Sequence, residues 1–168
     1  MLVNMLGFNF IWFGLVYWGN LFIPVALCLI AFHLIRLSSV NRESRLVLLI
    51  TAIGGSIDSL LHFFGFFIFP DSAFTPLWLI VLWSAFSCTV CHGLNFLSQS
   101  RVLQIIVGGG LAPLSYFAAE RLGAVNITMP SVSSYLLMAS IWAMLFVLFY
   151  TLKPILINKR LKHVETCS

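Results

Sequence analysis

The chain has 168 residues, of which 61% are hydrophobic and only 8% charged, and it carries a net charge of +4 at pH 7. A soluble domain carries roughly 25% charged residues, so these residues cannot build a water-facing surface. The composition places the chain among polytopic membrane proteins, and no nucleic-acid partner is expected.

Residues 2–35 contain no Asp, Glu, Lys or Arg. As one helix they would be roughly 50 Å long, against a hydrocarbon core about 30 Å thick. The run must therefore fold back, and Gly19-Asn20 with Pro24 supplies the turn formers. Spans are predicted near 3–19 and 21–37, a re-entrant hairpin being the rival. The N-terminus lacks a basic n-region and a small-residue cleavage site, so the first run reads as a retained span.

A third span is predicted near 46–69, stopping at Pro70-Asp71, and a fourth near 76–98. The fifth, near 102–121, is expected to bend at Pro113, where a backbone donor is missing. The sixth, near 132–152, should end before Pro154, leaving a polar, basic tail at 153–168. The whole of 1–168 reads as one all-α integral-membrane domain.

Lys and Arg set the orientation. Arg36, Arg42, Arg45, Arg101, Lys153, Lys159, Arg160 and Lys162 fall on one side of a six-span arrangement, and only Arg121 falls opposite. Both termini are therefore expected in the cytoplasm. The tail can also rest on anionic lipid, at about 1 kcal/mol per basic group near the surface.

Spans three and four each carry a polar stripe. At 100° per residue, Thr51, Gly54, Gly55, Asp58, Ser59, His62 and Gly65 share a face roughly 140° wide. In span four Ser84, Ser87, Cys88, Cys91, His92 and Asn95 do the same, while Leu79, Leu82, Trp83, Phe86, Val90 and Leu97 form an opposite face suited to lipid. Small residues permit close helix approach and polar ones find partners there, so the two stripes should face one another or the bundle centre.

Asp58 is the costliest of these, at about 2.5–3.5 kcal/mol near the middle of a span. His62 lies one turn on and can meet it directly. Antiparallel pairing is expected to put Asp58 level with Ser84 to Ser87, and His92 level with Thr51, roughly 9 Å nearer the cytoplasm. The candidate site is this seam: Asp58, His62, His92, Ser59 and Asn95. It reads either as a proton or substrate path or as interhelical hydrogen bonding worth about 0.6 kcal/mol per bond.

Span five presents a small face, Gly108, Ala112, Ser115 and Ala119, suited to helix contact. No strand precedes Gly108-Gly109-Gly110 and no Lys follows, so there is no phosphate-binding loop. Glu120 and Arg121 read as an interfacial ion pair. Cys88-Thr89-Val90-Cys91-His92 has the spacing of a c-type haem site, but it lies within an apolar helix. As a zinc set it offers three ligands without an obvious fourth. Haem b between His62 and His92, and a Ser59–His62–Asp58 triad on one helix, are weaker alternatives. No cofactor and no metal is assigned, and Cys28 and Cys167 are not expected in disulfides. Asn126-Ile127-Thr128 matches a glycosylation sequon and is read as chance.

Three groups of residues resemble a bacterial inner-membrane family, domain of unknown function 2878. They are Gly55, Asp58, Ser59, Leu60 and Leu61 followed by Phe69-Pro70; Pro76-Leu77-Trp78-Leu79 with Trp83, Phe86, Thr89 and His92; and Ala112-Pro113-Leu114-Ser115-Tyr116 with Leu122-Gly123-Ala124. The resemblance covers most of the chain. The family pattern has the Thr and His of span four but usually lacks the Cys pair, which weakens a haem role further. It implies an inner-membrane location and, through neighbouring fatty-acid-modifying genes, a lipid-related role, but no activity.

The resulting expectation is an inner-membrane accessory or scaffold subunit in lipid or envelope metabolism, with the bilayer and another membrane protein or a second copy as partners. A lipid-modifying enzyme or a small transporter using the seam is the alternative.

Overall fold

The computed structural model describes residues 2–36, 40–70 and 72–158, without the side chains of 40–42 and 158. Arg42, Lys159, Arg160 and Lys162, which bear on the predicted orientation, lie outside the described side chains, as do Asp71 and Cys167.

Among the described residues, six α-helices carry the fold: α1 Leu2–Trp18, α2 Ile23–Arg36, α3 Val40–Phe63, α4 Leu77–Cys91, α5 Arg101–Arg121 and α6 Ser131–Asn158. Four segments, 2–36, 43–63, 101–121 and 131–157, are long and apolar enough to cross a membrane, and α4 is a shorter apolar helix. The outside of the bundle is greasy, with Leu6, Phe10, Leu48, Ile106, Leu111 and Met144 all exposed. This is a helical membrane protein.

The uncharged first run does fold back. Gly19, at φ +57°, opens a single 3-10 turn over Gly19–Phe22, and the far ends of α1 and α2 meet again where Asn4 touches His33. Asn20 anchors this turn, its Oδ1 accepting the Trp78 N–H at 3.2 Å near the start of α4. One of the four orphan amides at that helix end is thereby satisfied from a distant part of the chain.

Helix α3 stops at Phe63, well before Pro70. Gly65, at φ +74°, takes the left-handed conformation, with its N–H donating to His62 O and the Phe66 N–H donating to Leu61 O. That is a Schellman closure, which needs no proline. The following residues form a strap in which Phe66, Phe67 and Phe69 are buried. Its strand β1, Phe67–Ile68, pairs antiparallel with β2, Asn126–Ile127, joining the α3–α4 and α5–α6 connections.

Helix α4 is also shorter than expected, ending at Cys91 rather than near 98. Thr89 O accepts from both His92 N–H and Leu94 N–H, and Lys153 reaches over from α6 to donate to Val90 O at 2.9 Å. A cation on the last carbonyls terminates the helix and complements its dipole. A 3-10 turn, Asn95–Gln99, follows, and Ser100 then caps α5 by accepting the Leu103 N–H. Helix α5 runs through Pro113, and α6 runs past Pro154 to Asn158 rather than stopping before it. A proline inside a helix removes one backbone hydrogen bond and crowds the carbonyl four residues before it, and membrane helices tolerate this where neighbouring groups satisfy the freed carbonyl.

The face of α4 expected to meet lipid is instead interior. Trp83, Phe86 and Val90 are all buried, and the Trp83 ring stacks on Trp142 of α6 with centroids 4.9 Å apart. Helix α4 is enclosed by α1, α2, α3 and the aromatic side of α6. A helix apolar all round is a central one, and a surface stripe cannot be told from a core stripe when both are Leu, Phe and Trp.

Two close approaches depend on glycine. The Trp83 indole lies directly on the Gly54 backbone, where a Cβ would collide with the ring. At the α5–α6 contact, a Cβ on Gly108 would come within 2.9 Å of Trp142 O. Gly54→Ala is therefore expected to destabilise the bundle by about 1–3 kcal/mol, read as a lower midpoint of denaturant unfolding in detergent micelles.

Candidate functional site

Helices α3 and α4 pack together, but in a different register. Thr51 and Ser84 share a hydrogen bond at 3.1 Å, and Gly55 faces Ile80. Extending that register puts His92 level with Glu43, not Thr51, and His92 Nε2 lies 3.1 Å from Glu43 Oε2. Asp58 and His92 are thus separated by roughly 22 Å along α3. The shift arises because α3 projects beyond the start of α4 and the Phe66–Phe69 strap folds back between them. Connection length alone does not reveal that.

Asp58 is 1% exposed and anchors three helices. The Trp83 Nε1–H donates to Oδ2 at 2.7 Å, and the Tyr116 hydroxyl lies 3.0 and 3.1 Å from Oδ1 and Oδ2. Tyr116 comes from α5, stacked flat on Phe67 of the strap with centroids 5.2 Å apart. Every short contact to this carboxyl group is a donor from a bulky aromatic residue. The geometry closes it off from water and satisfies both oxygens.

The other predicted residues go elsewhere. His62 turns away from Asp58 to the strap, its Nδ1 2.9 Å from Phe67 O and its Nε2 3.1 Å from Ala73 O. A neutral imidazole donates to one of these carbonyls at a time. Ser59 donates to Gly55 O within its own helix, a bond of 2.7 Å. Asn95 Oδ1 accepts from Lys153 Nζ at 2.6 Å. His62 and His92 sit at opposite ends of α3, so no single haem can be held between them, and Asp58, Ser59 and His62 form no hydrogen-bonded triad. Glu120 is not an ion-pair partner of Arg121. Its Oε1 accepts the Ile127 N–H at 2.9 Å and so anchors β2.

His92 belongs to a second polar group that the sequence does not single out. His33, in the last turn of α2, and Glu43, in the first turn of α3, join it at the C-terminus of α4. One ligand atom from each lies within 4.8 Å of the others. The His33 and His92 rings meet edge to face, 4.8 Å between centroids. Among the described residues, the His92–Glu43 contact is the one ion pair, available when the ring is protonated. Asn4 completes the group, its Oδ1 accepting the Gly93 N–H at 3.0 Å and its Nδ2 lying 3.4 Å from His33 Nδ1. The available signal was positional: His33, Glu43 and His92 all fall at helix ends that alternation places on one side of the membrane.

Of the CxxCH residues, Cys88 is buried, Cys91 is half-buried, and both are free thiols. They lie on α4 or its last turn, while His92 turns off the helix toward Glu43.

The sequence model of a family described as "protein of unknown function (DUF2878)" matches residues 1–148, and the chain belongs to that family. No curated protein sequence and no solved structure matches it.

Proposed function

We propose that this member of the DUF2878 family is a six-span inner-membrane protein with both termini cytoplasmic, acting as an accessory or scaffold subunit in lipid or envelope metabolism. The observation that carries this reading is the setting of Asp58. A proton or substrate path needs a water-accessible group that changes partners, whereas Asp58 is 1% exposed and held by Trp83 and Tyr116. Such a carboxyl group joins α3, α4 and α5 rather than conducting anything. Its natural partners are the bilayer and a second membrane protein or another copy of the chain.

A lipid-modifying enzyme or small transporter is the second reading. It is supported by a lateral groove of about 730 Å³ between α3 and α4, where Thr51, Ser56, Ser59 and Ser84 face an otherwise apolar opening.

Comparative lipidomics of a deletion strain and its parent tests the role. A scaffold predicts partial depletion of a partner's product, restored by Ser59→Ala as well as by wild type. An enzyme using the groove predicts complete loss of one lipid class and no restoration by Ser59→Ala. Reporter fusions test the orientation: alkaline phosphatase should be active when joined after Ala124 and inactive after Asn158. Activity at both or at neither would contradict the arrangement of the last span.

A further inference from the structure

We infer that His33, Glu43 and His92 form a binding site for a divalent transition-metal ion, Zn²⁺ by its ligand set. The inference rests on this end of the bundle alone and does not depend on the scaffold reading.

Two imidazoles and one carboxylate are a familiar zinc set with an open fourth position. Donor atoms about 2.0–2.2 Å from a tetrahedral ion stand roughly 3.4 Å from one another. His92 Nε2 and Glu43 Oε2 are already 3.1 Å apart, and all three ligand atoms lie within 4.8 Å. A small rotation of His33 closes the set. The three residues come from separate helix ends, so the ion would clamp α2, α3 and α4 together.

A second observation points to a ligand. The Nε2 of His33 is buried with no hydrogen-bond partner among the described residues, in a residue only 9% exposed. Buried polar atoms are almost always paired, and one that is not calls for a partner. Glu43 and His92 are 13% and 28% exposed in their side chains, which leaves the fourth position to water.

Asn4 sets the strength of the site. A metal on Nε2 leaves the ring proton on Nδ1, and there Asn4 presents its amide nitrogen, 3.4 Å away. Its oxygen cannot turn to help, because it accepts the Gly93 N–H. Metal-bound histidines ordinarily donate that second N–H to an oxygen. Asn4 as oriented donates to an unprotonated Nδ1, so a metal on Nε2 must displace the Nε2 proton and loses this contact, whereas a carboxylate at position 4 would serve Gly93 and His33 together.

Full-length protein in detergent, stripped with a chelator, is titrated with Zn²⁺ by calorimetry, with Co²⁺ as a spectroscopic substitute. The expected result is one Zn²⁺ per chain, affinity lowered about tenfold or more by His33→Ala and by Glu43→Gln, and unchanged by Cys88→Ser and Cys91→Ser. Asn4→Asp should tighten binding by about tenfold, a gain that a misfolded variant cannot mimic. Stoichiometric binding absent from wild type would overturn the inference. So would a sulfur-to-cobalt charge-transfer band that survives His33→Ala and vanishes in the cysteine variants. An Asn4→Asp protein that binds no tighter than wild type would equally count against a metal on Nε2.

Discussion

Asp58→Leu should destabilise the bundle by on the order of 3 kcal/mol, whereas Asp58→Asn should cost about 1 kcal/mol or less. The difference lies in what each leaves behind. Leucine removes the acceptor for the Trp83 indole N–H and the Tyr116 hydroxyl, stranding two donors in an apolar interior at about 1–3 kcal/mol each. Asparagine, with its oxygen in the Oδ2 position, still accepts from both the Trp83 indole N–H and the Tyr116 hydroxyl. A formed interhelical hydrogen bond in a membrane protein is worth only about 0.6 kcal/mol, so the stranded donors dominate the loss. Combining Asp58→Leu with Tyr116→Phe should recover part of it, since removing both sides of a buried bond with little change of shape is nearly neutral. Equilibrium unfolding in mixed micelles reads all of these. Equal losses for Leu and Asn would mean that Asp58 is not held by these two donors.

Trp83→Ala should be among the most damaging truncations in the chain, at about 3–5 kcal/mol. Trp83 is 3% exposed, stacks on Trp142, packs edge-on against Phe86 and Phe149, and donates to Asp58. Its removal leaves a cavity at the meeting of α3, α4 and α6. The same change should abolish the penalty of Gly54→Ala, because the ring that a Cβ would strike is gone. The two substitutions should thus couple by about 1–3 kcal/mol. Simple additivity would place Trp83 somewhere other than on the Gly54 backbone.

What could be read in the sequence follows from the physics of each signal. An uncharged run longer than a bilayer must fold back, and Gly19 with Asn20 marked the place. Helix ends depend on local capping, and these were harder to see. Gly65 ends α3 before Pro70, and Lys153, far along the chain, covers the end of α4. Asp58 stood out because a buried carboxyl group must find partners, yet its partners came from the wrong list. Tyr116 and Trp83 stand in the family pattern, but Trp83 falls on a face suited to lipid, since periodicity cannot distinguish two apolar surroundings. His33 and Glu43 were missed because their meeting with His92 depends on register, which the Phe66–Phe69 strap sets.

The most direct test of the account is rescue of a deletion strain by Asp58→Asn protein, with its amount in the membrane and its elution as an assembled species measured alongside. A structural Asp58 predicts wild-type rescue at wild-type abundance, because asparagine preserves the bonds to Trp83 and Tyr116. Protein that assembles normally and fails to restore the phenotype would contradict it, and would make Asp58 a working group of the seam rather than the bond between its helices.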